Sequence, residues 1–410
     1  MAGKKRDKLA AKELRSFKYF KIVDRLLRTL HDAGCERDRA ANRTLHMDQY
    51  ITLLLMYMFN PVCSSLRALQ EASQLKKVQR VLKVPRTSLG SLSEAARVFD
   101  SELLLGIIGK LAAKLKPIRH DAHLGDLGQI ITLVDGSWLR AVPKVAWALF
   151  QDDRHRSAKA HMHFELLKGV PSGATITDAH TSETAVLRRN LQSGHLYVID
   201  RGYFDYTLYR DVLAADSSLV CRARDNAHID EVIEERSLSR EALDAGIVRD
   251  AVVRLGHPAT QARLERPLRI IEVECTPHRK PSGKTGRGGP EQGETILIVT
   301  DRLDLPAVVI ALLYQYRWQI EIFFRFFKHV LGCRHLLSHC KNGIELQTYS
   351  AIIACLLIAL WTGRKPTLRT YRMLCWHLSG WADEGELLAH IQKLAHVAEP
   401  TASEDSRRHI

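Results

Sequence analysis

Residues 314–328 read Tyr-Gln-Tyr-Arg-Trp-Gln-Ile-Glu-Ile-Phe-Phe-Arg-Phe-Phe-Lys. At about 100° per residue, Tyr314, Arg317, Glu321 and Lys328 fall on one narrow helix face, and Arg325 joins its edge. The remaining faces carry Val308, Val309, Leu312, Leu313, Trp318, Ile322, Phe323, Phe326 and Phe327. A helix this apolar is packed on most sides. A polar stripe inside such packing costs free energy unless something compensates its charges. A solvated ladder, Arg317 with Glu321 and Glu321 with Arg325, is the plainer reading, but the surrounding aromatics argue against free solvation. The pattern predicts one long helix, capped by Asp304, with Pro306 in its first turn, running to about Leu331 and closed by Gly332.

Two carboxylates precede that helix. Gln129–Val134 is a short β-rich run that ends at Asp135-Gly136, and His195–Ile199 is another that ends at Asp200-Arg-Gly. In open α/β sheets, sites form beyond the carboxyl ends of strands. Each aspartate alone fits a turn. As a pair ending two apolar strands they suit a hard divalent cation such as Mg²⁺.

Asp135, Asp200 and Glu321, the last inside a Tyr-x2-Arg-x3-Glu-x6-Lys spacing, resemble the DDE transposases of bacterial insertion sequences. More closely, the chain is similar to the family of insertion sequence 4, whose hallmark is that spacing. All four signature residues match without a gap. The phrases LVDGSWL (133–139), YVIDRGYFDY (197–206) and TDRLDLPAVVIALLYQYRWQIEIFF (300–324) are similar too. The matched blocks extend from about residue 128 to 340, half the chain.

The resemblance implies an RNase H-like catalytic domain with a β-rich insertion, and apolar residues at helical spacing over 1–120 put an all-helical N-terminal domain before it, a mixed α/β fold in all. It implies two Mg²⁺ ions, replaceable by Mn²⁺, bound by Asp135, Asp200 and Glu321. Tyr314, Arg317, Lys328 and Arg325 would bind DNA beside the scissile bond, where a guanidinium grips phosphate bidentately and an ammonium acts as a point charge. The implied activity is a DNA transposase that cleaves at the ends of a mobile element and joins the 3′-ends to target DNA. Its partners would be terminal inverted repeats, target DNA and a second copy of the chain in a synaptic complex, in the bacterial cytoplasm and with no membrane. The alternatives are a metal-dependent nuclease of the same fold and a domesticated, non-catalytic DNA-binding protein. One departure stands out. Relatives that open DNA ends through a hairpin can stack a flipped base on an aromatic of the insertion, yet no Phe, Trp or Tyr lies between Asp225 and Thr300. His228, His257 and His278 are weaker stacking groups.

The organisation follows: a helical, basic DNA-binding region over 1–120, a catalytic domain over 121–224 and 301–365, the insertion over 225–300, and a helical C-terminal region over 366–410 ending in a frayed tail. Ser64 or Ser65, and Ser93, are expected helix caps. Phe164–Leu167 and Ala174–Thr177 are strand candidates, and a helix is expected between Ser182 and Asn190. In the insertion, a charged helical piece over Asp230–Ala245 is expected before strands at 249–255, 268–274 and 295–299, with a Gly- and Pro-rich loop over 276–294. A buried helix is expected over Glu345–Trp361.

Composition agrees. At 46% hydrophobic and 26% charged residues, the chain is globular rather than disordered or collagen-like. The two most apolar runs are about 10 residues long, short of the roughly 20 that cross a bilayer. The eight cysteines are scattered, which suits a reducing compartment. The net charge of +14 is concentrated in residues 1–120, where 24 Lys plus Arg face 11 Asp plus Glu. That region, with Lys4, Lys5, Arg6, Lys8, Lys12, Arg15 and Lys18 and a second cluster of Arg67, Lys76, Lys77, Arg80, Lys83 and Arg86, is the expected reader of element ends.

Other motifs carry less. Ser282-Gly283-Lys284-Thr285 mimics a phosphate loop, but His278 stands where the pattern needs glycine. Arg279, Lys280, Lys284 and Arg287 could instead touch DNA phosphates. Cys333, His335, His339 and Cys340 match no standard zinc spacing. Lys159, His161 and His163 could point into the catalytic cleft or belong to an ordinary strand face.

Overall fold

The computed structural model describes residues 20–33, 37–38, 42–118, 124–125, 127–140, 149–150, 152–225, 227–256, 264, 266–274, 295–330 and 336–394. The basic residues from Lys4 to Lys18, the loop 276–294, His257, Leu331, Gly332, Cys333, His335 and the tail after residue 394 lie outside them.

Among the described residues, six α-helices come first, α1 (Lys21–Leu27), α2 (Met47–Phe59), α3 (Leu66–Ser73), α4 (Lys76–Leu82), α5 (Leu89–Val98) and α6 (Leu103–Lys114). Ser65 caps α3, its Oγ accepting from Ala68 N at 3.2 Å. Ser93 does not cap α5. The helix starts a turn earlier, and Ser88 Oγ accepts from Ser91 N at 3.0 Å. The exposed backbone N–H groups lie at the true first turn, so a serine inside the helix has nothing to cap.

Ten strands follow, β1 (Ile130–Arg140), β2 (Leu149–Phe150), β3 (Asp152–Glu165), β4 (Val170–Asp178), β5 (His195–Ile199), β6 (Ser218–Arg222), β7 (Ile229–Glu235), β8 (Ile247–Leu255), β9 (Leu268–Glu274) and β10 (Thr295–Thr300). They form one sheet in the order β2-β3-β1-β5-β6-β10-β9-β8-β7, with β4 on the far side of β3. β3 runs antiparallel to both β1 and β4, while β5 and β6 run parallel to β1. An antiparallel meander continued by two parallel strands is the RNase H-like arrangement that the resemblance implied.

The strands of 225–300 extend this same sheet, because β10 pairs with both β6 and β9. Residues 229–235 are a strand, not the expected helix; only α9 (Arg240–Asp244), capped by Ser239, is helical. β7 is the sheet's last strand, so its acidic side chains face solvent and cross-strand arginines. Arg249 Nη2 lies 2.6 Å from Glu235 Oε1, and Arg254 Nε 3.6 Å from Glu231 Oε2. Cross-strand charge pairing favours the strand over local helix propensity. Deeper in, Arg269 grips Asp250 with both ends of its fork, at 2.8 and 2.7 Å, and both side chains are almost fully buried.

The remaining helices are α7 (Glu183–Arg189), α8 (Tyr206–Ala214), α10 (Ala307–Tyr316), α11 (Trp318–Val330), α12 (Lys341–Thr362), α13 (Leu368–Leu378) and α14 (Glu384–Leu394). α12 is longer than expected, 22 residues, and holds an 18-residue window of mean hydropathy 1.7, long and apolar enough to cross a membrane, yet 89% of that window is buried within the molecule. It packs against α2, α5, α6 and β4. Asn342 anchors its start, donating to Ala96 O at 2.8 Å and Phe99 O at 2.7 Å. A single apolar cluster runs from α2, α5 and α6 through α12 to the sheet face bearing Ile131, Leu133, Leu196 and Val198. The opposite face, with Val134, Tyr197 and Ile199, is covered by α7 and α8.

Candidate active site

The parallel pairing of β1 with β5 ends at Leu133–Val198, and Val198 in turn pairs with Val220 of β6. Two residues further along each strand stand Asp135, Asp200 and Arg222. Side chains two apart share a face. These three therefore form one row, on the face that packs into the larger core. Asp135 is not at a strand end. β1 continues through it to Arg140, carried by antiparallel pairing with β3 after β5 has stopped. Asp200 does end its strand. Its Oδ1 accepts from Gly202 N at 2.8 Å and caps the short turn Arg201–Tyr203.

The signature helix is two helices. The backbone breaks at Arg317, where Arg317 N donates to Tyr314 O at 3.0 Å and Ile320 N to Arg317 O at 3.2 Å, one residue tighter than an α-helix. Arg317 keeps φ −51° and ψ −35°, so the phase is nearly preserved and Tyr314 still meets Glu321's side of the helix. Pro306 rather than Asp304 takes the cap position, because Arg302 holds the Asp304 carboxylate at 2.8 and 2.7 Å. Phe323 packs on Phe164 with ring centroids 5.3 Å apart, which lays α11 over the β1–β3 face bearing Asp135.

Arg317 Nη2 lies 2.8 Å from Glu321 Oε1, and its guanidinium sits 6.0 Å from the Tyr314 ring centre. Burial first, then the charge of Asp200, pushes the Asp135 carboxyl up to about 7; Arg317 opposes that rise. Burial also raises Tyr314, whose hydroxyl feels Arg317, Arg222 and Asp200. Arg325 stands apart: it is exposed, 5.9 Å from the Trp318 ring centre. Lys328 is half-buried.

Lys159, His161 and His163 do not enter this group. In the β1–β3 register Lys159 faces Trp138, His161 faces Gly136 and His163 faces Val134, whereas Asp135 faces Met162. They occupy the back of the sheet. His161 Nε2 bonds Thr177 Oγ1 at 2.8 Å. Cys340 serves as the cap of α12, its Sγ accepting from Gly343 N at 3.3 Å.

Sequence reasoning missed Arg222, Glu183 and Tyr203. Arg222 was legible only through the register of three strands. Glu183 opens α7 behind the cap Ser182 and forms an ion pair with Lys159.

Asp135, Asp200 and Glu321 offer only hard oxygen donors, which suits Mg²⁺. A buried carboxyl pushed toward neutrality by a neighbouring carboxylate is a site short of positive charge. Their donor chemistry therefore suits a divalent cation, while the three carboxylates do not all stand within 4.8 Å of one another. Among the described residues, the group of three donors within 4.8 Å of one another is His31, Asp32 and His46, away from this row. There His31 Nδ1 bonds Asp48 at 2.9 Å and His46 Nδ1 bonds His31 O at 2.9 Å, so both rings already have protein partners.

The chain is 29% identical over 232 residues to a Sinorhizobium fredii protein described as transposase y4zB, covering 56% of this chain and 60% of that protein. It is 24% identical over 216 residues to a Geobacillus stearothermophilus transposase of insertion sequence element IS5377, covering 52% of each. It is 23% identical over 288 residues to a Synechocystis transposase of element IS4SA, covering 68% of this chain and 73% of that one. The chain thus spans less than two thirds of the first two relatives. A solved piggyBac transposase synaptic complex with hairpin DNA superposes with a TM-score of 0.44 at 11% identity, covering 96% of this chain and 84% of that one. The model of the transposase DDE domain matches residues 126–357, more than half of the chain and a span that holds every residue of the row and of the signature helices, so the chain belongs to that family.

Proposed function

We propose that the chain is a DNA transposase that cleaves at the ends of a mobile element and joins the 3′-ends to target DNA. The observation that carries this reading is the row Asp135–Asp200–Arg222 beneath the Arg317–Glu321 pair: carboxylates beside phosphate-gripping cations on one sheet face. Asp135, Asp200 and Glu321 would hold Mg²⁺ or Mn²⁺, which when bound supplies an activated nucleophile and a Lewis acid for in-line phosphoryl transfer. Arg317 and Arg222 hold phosphate oxygens beside the scissile bond, and Lys328 adds a point charge. Tyr314 fixes the Arg317 guanidinium, and Arg325 meets DNA at the outer edge of α11.

Residues 1–120 read the terminal inverted repeats. Arg67, Lys76, Lys77, Arg80, Lys83 and Arg86 are all exposed on and beside α3 and α4, as a phosphate-binding surface requires. Two ends held together call for a homodimer on DNA, in the bacterial cytoplasm.

A strand-transfer assay on DNA carrying the element ends tests the proposal. Asp135→Ala and Glu321→Ala abolish both cutting and joining; retained activity in either overturns the cation-site assignment. Cutting without joining by the unaltered protein would indicate a nuclease, and DNA binding without cutting a domesticated form. A strictly monomeric protein–DNA complex in sedimentation would remove the homodimer.

A further inference from the structure

The ladder between β1 and β5 stops at Leu133–Val198, before either aspartate, so backbone pairing between these strands does not set the spacing of Asp135 and Asp200. Something else must, and the back of the sheet holds it.

Glu183 stands there in an ion pair with Lys159, which is buried at 9% exposure and lies 5.4 Å from the Trp138 ring centre. Gly136 directly follows Asp135, and Gly202 stands two residues after Asp200. A Cβ on Gly136 would overlap Glu183 Oε1 and stand 2.7 Å from Lys159 Cε. A Cβ on Gly202 would stand 3.0 Å from Asp200 Oδ1 and 3.7 Å from Glu183 Oε2. The Glu183 carboxylate thus spans from the middle of β1 to the turn after β5, one oxygen toward each glycine. Behind it, Tyr203 is fully buried, and its hydroxyl has no hydrogen-bond partner. That hydroxyl feels the charges of Glu183, Asp135 and Asp200 together. A buried hydroxyl without a partner is rare in a settled fold.

We propose that Lys159, Glu183 and Tyr203 are a positioning cluster that fixes β1 at Gly136 and the turn after β5 from behind, so that Asp135 and Asp200 keep the spacing a divalent cation needs. Gly136 and Gly202 are the gaps through which it acts. This rests on the cation reading of Asp135 and Asp200. Groups that orient metal ligands from behind commonly change metal affinity by about 10–100-fold when removed.

The test is Mn²⁺ binding to the full chain without DNA, followed by the electron paramagnetic resonance of the free ion. The unaltered protein binds, and Asp135→Asn abolishes binding. Glu183→Gln and Gly136→Ala each weaken binding by about tenfold or more, and together little more than either alone, because both dislodge the same contact. Tyr203→Phe removes only the hydroxyl, preserves the packing and weakens binding several-fold. Thermal unfolding of Tyr203→Phe without metal stays within about 2 °C of the parent, which separates positioning from general destabilisation. Unchanged Mn²⁺ affinity in Glu183→Gln and Tyr203→Phe, with the parent binding normally, overturns the cluster alone. No binding by the parent overturns the cation reading itself.

Discussion

Arg317 reaches one turn along its helix to place Nη2 2.8 Å from Glu321 Oε1, at the point where α10 gives way to α11. The break costs one regular helical bond and gives the guanidinium its position over Tyr314. Arg317 is the better covered of the two, at 17% side-chain exposure against 31% for Glu321. Arg317→Lys keeps the charge but loses the planar fork. It is expected to lower DNA cleavage about 100-fold, as loss of one preorganised hydrogen-bond donor to the transition state does. The cost in stability is only about 1 kcal/mol, because the pair is partly exposed. Single-turnover cleavage beside a denaturant titration separates the two effects.

Asp135 makes a prediction about pH. Its folded carboxyl sits at about 7 against an ordinary 3.8. The folded state therefore holds this proton more tightly than the unfolded chain. The resulting stability is present below the ordinary value and is lost as pH rises toward 7. Asp135→Asn removes that loss, so the metal-free variant should melt higher than the parent at pH 8 and not at pH 4. Differential scanning calorimetry at the two pH values checks it. A variant that melts lower at pH 8 would contradict the charge account.

The back of the sheet behaves oppositely. Burial lowers His161 and His163 to about 4, with the charge of Lys159 acting further on His161 and that of His195 on His163. A folded value below the ordinary 6.5 favours the neutral ring. This stability is complete above about 6.5 and is lost as pH falls toward 4. His163→Gln should shift the acid-unfolding midpoint to lower pH, measured by tryptophan fluorescence.

Arg269 and Asp250 are only 3% and 6% exposed. Arg269→Ala leaves a buried carboxylate unpaired and should cost roughly 3–5 kcal/mol. Replacing both by apolar residues should cost much less than that single change. Arg269 also donates to Leu305 O just before α10, so the single variant should lose cleavage activity along with stability. Urea unfolding of the single and paired variants decides it.

Much of the site was legible because its chemistry is periodic. The spacing of Tyr314, Arg317, Glu321 and Lys328 marks one helix face in the sequence. The break at Arg317 did not spoil that reading, since the residue keeps helical dihedral angles. Asp135 and Asp200 were legible as carboxylates following apolar strands. The charged run 229–235 misled, because local composition favours helix while pairing along β8 favours strand.

By itself, the sequence determined the helical character of the first 120 residues, the two aspartates after apolar runs and the polar stripe, all of which depend on neighbours within a turn or a strand. Only the tertiary structure decided that Asp135 lies inside a strand that outruns its parallel partner, and that Arg222 completes the row. It also decided that Glu183 and Lys159 meet behind Gly136, while Lys159, His161 and His163 turn away from the aspartates. These are contacts between elements far apart in the chain. They are set by strand register and by which sheet face each helix covers. A shift of one residue in register would send every one of these side chains to the other face.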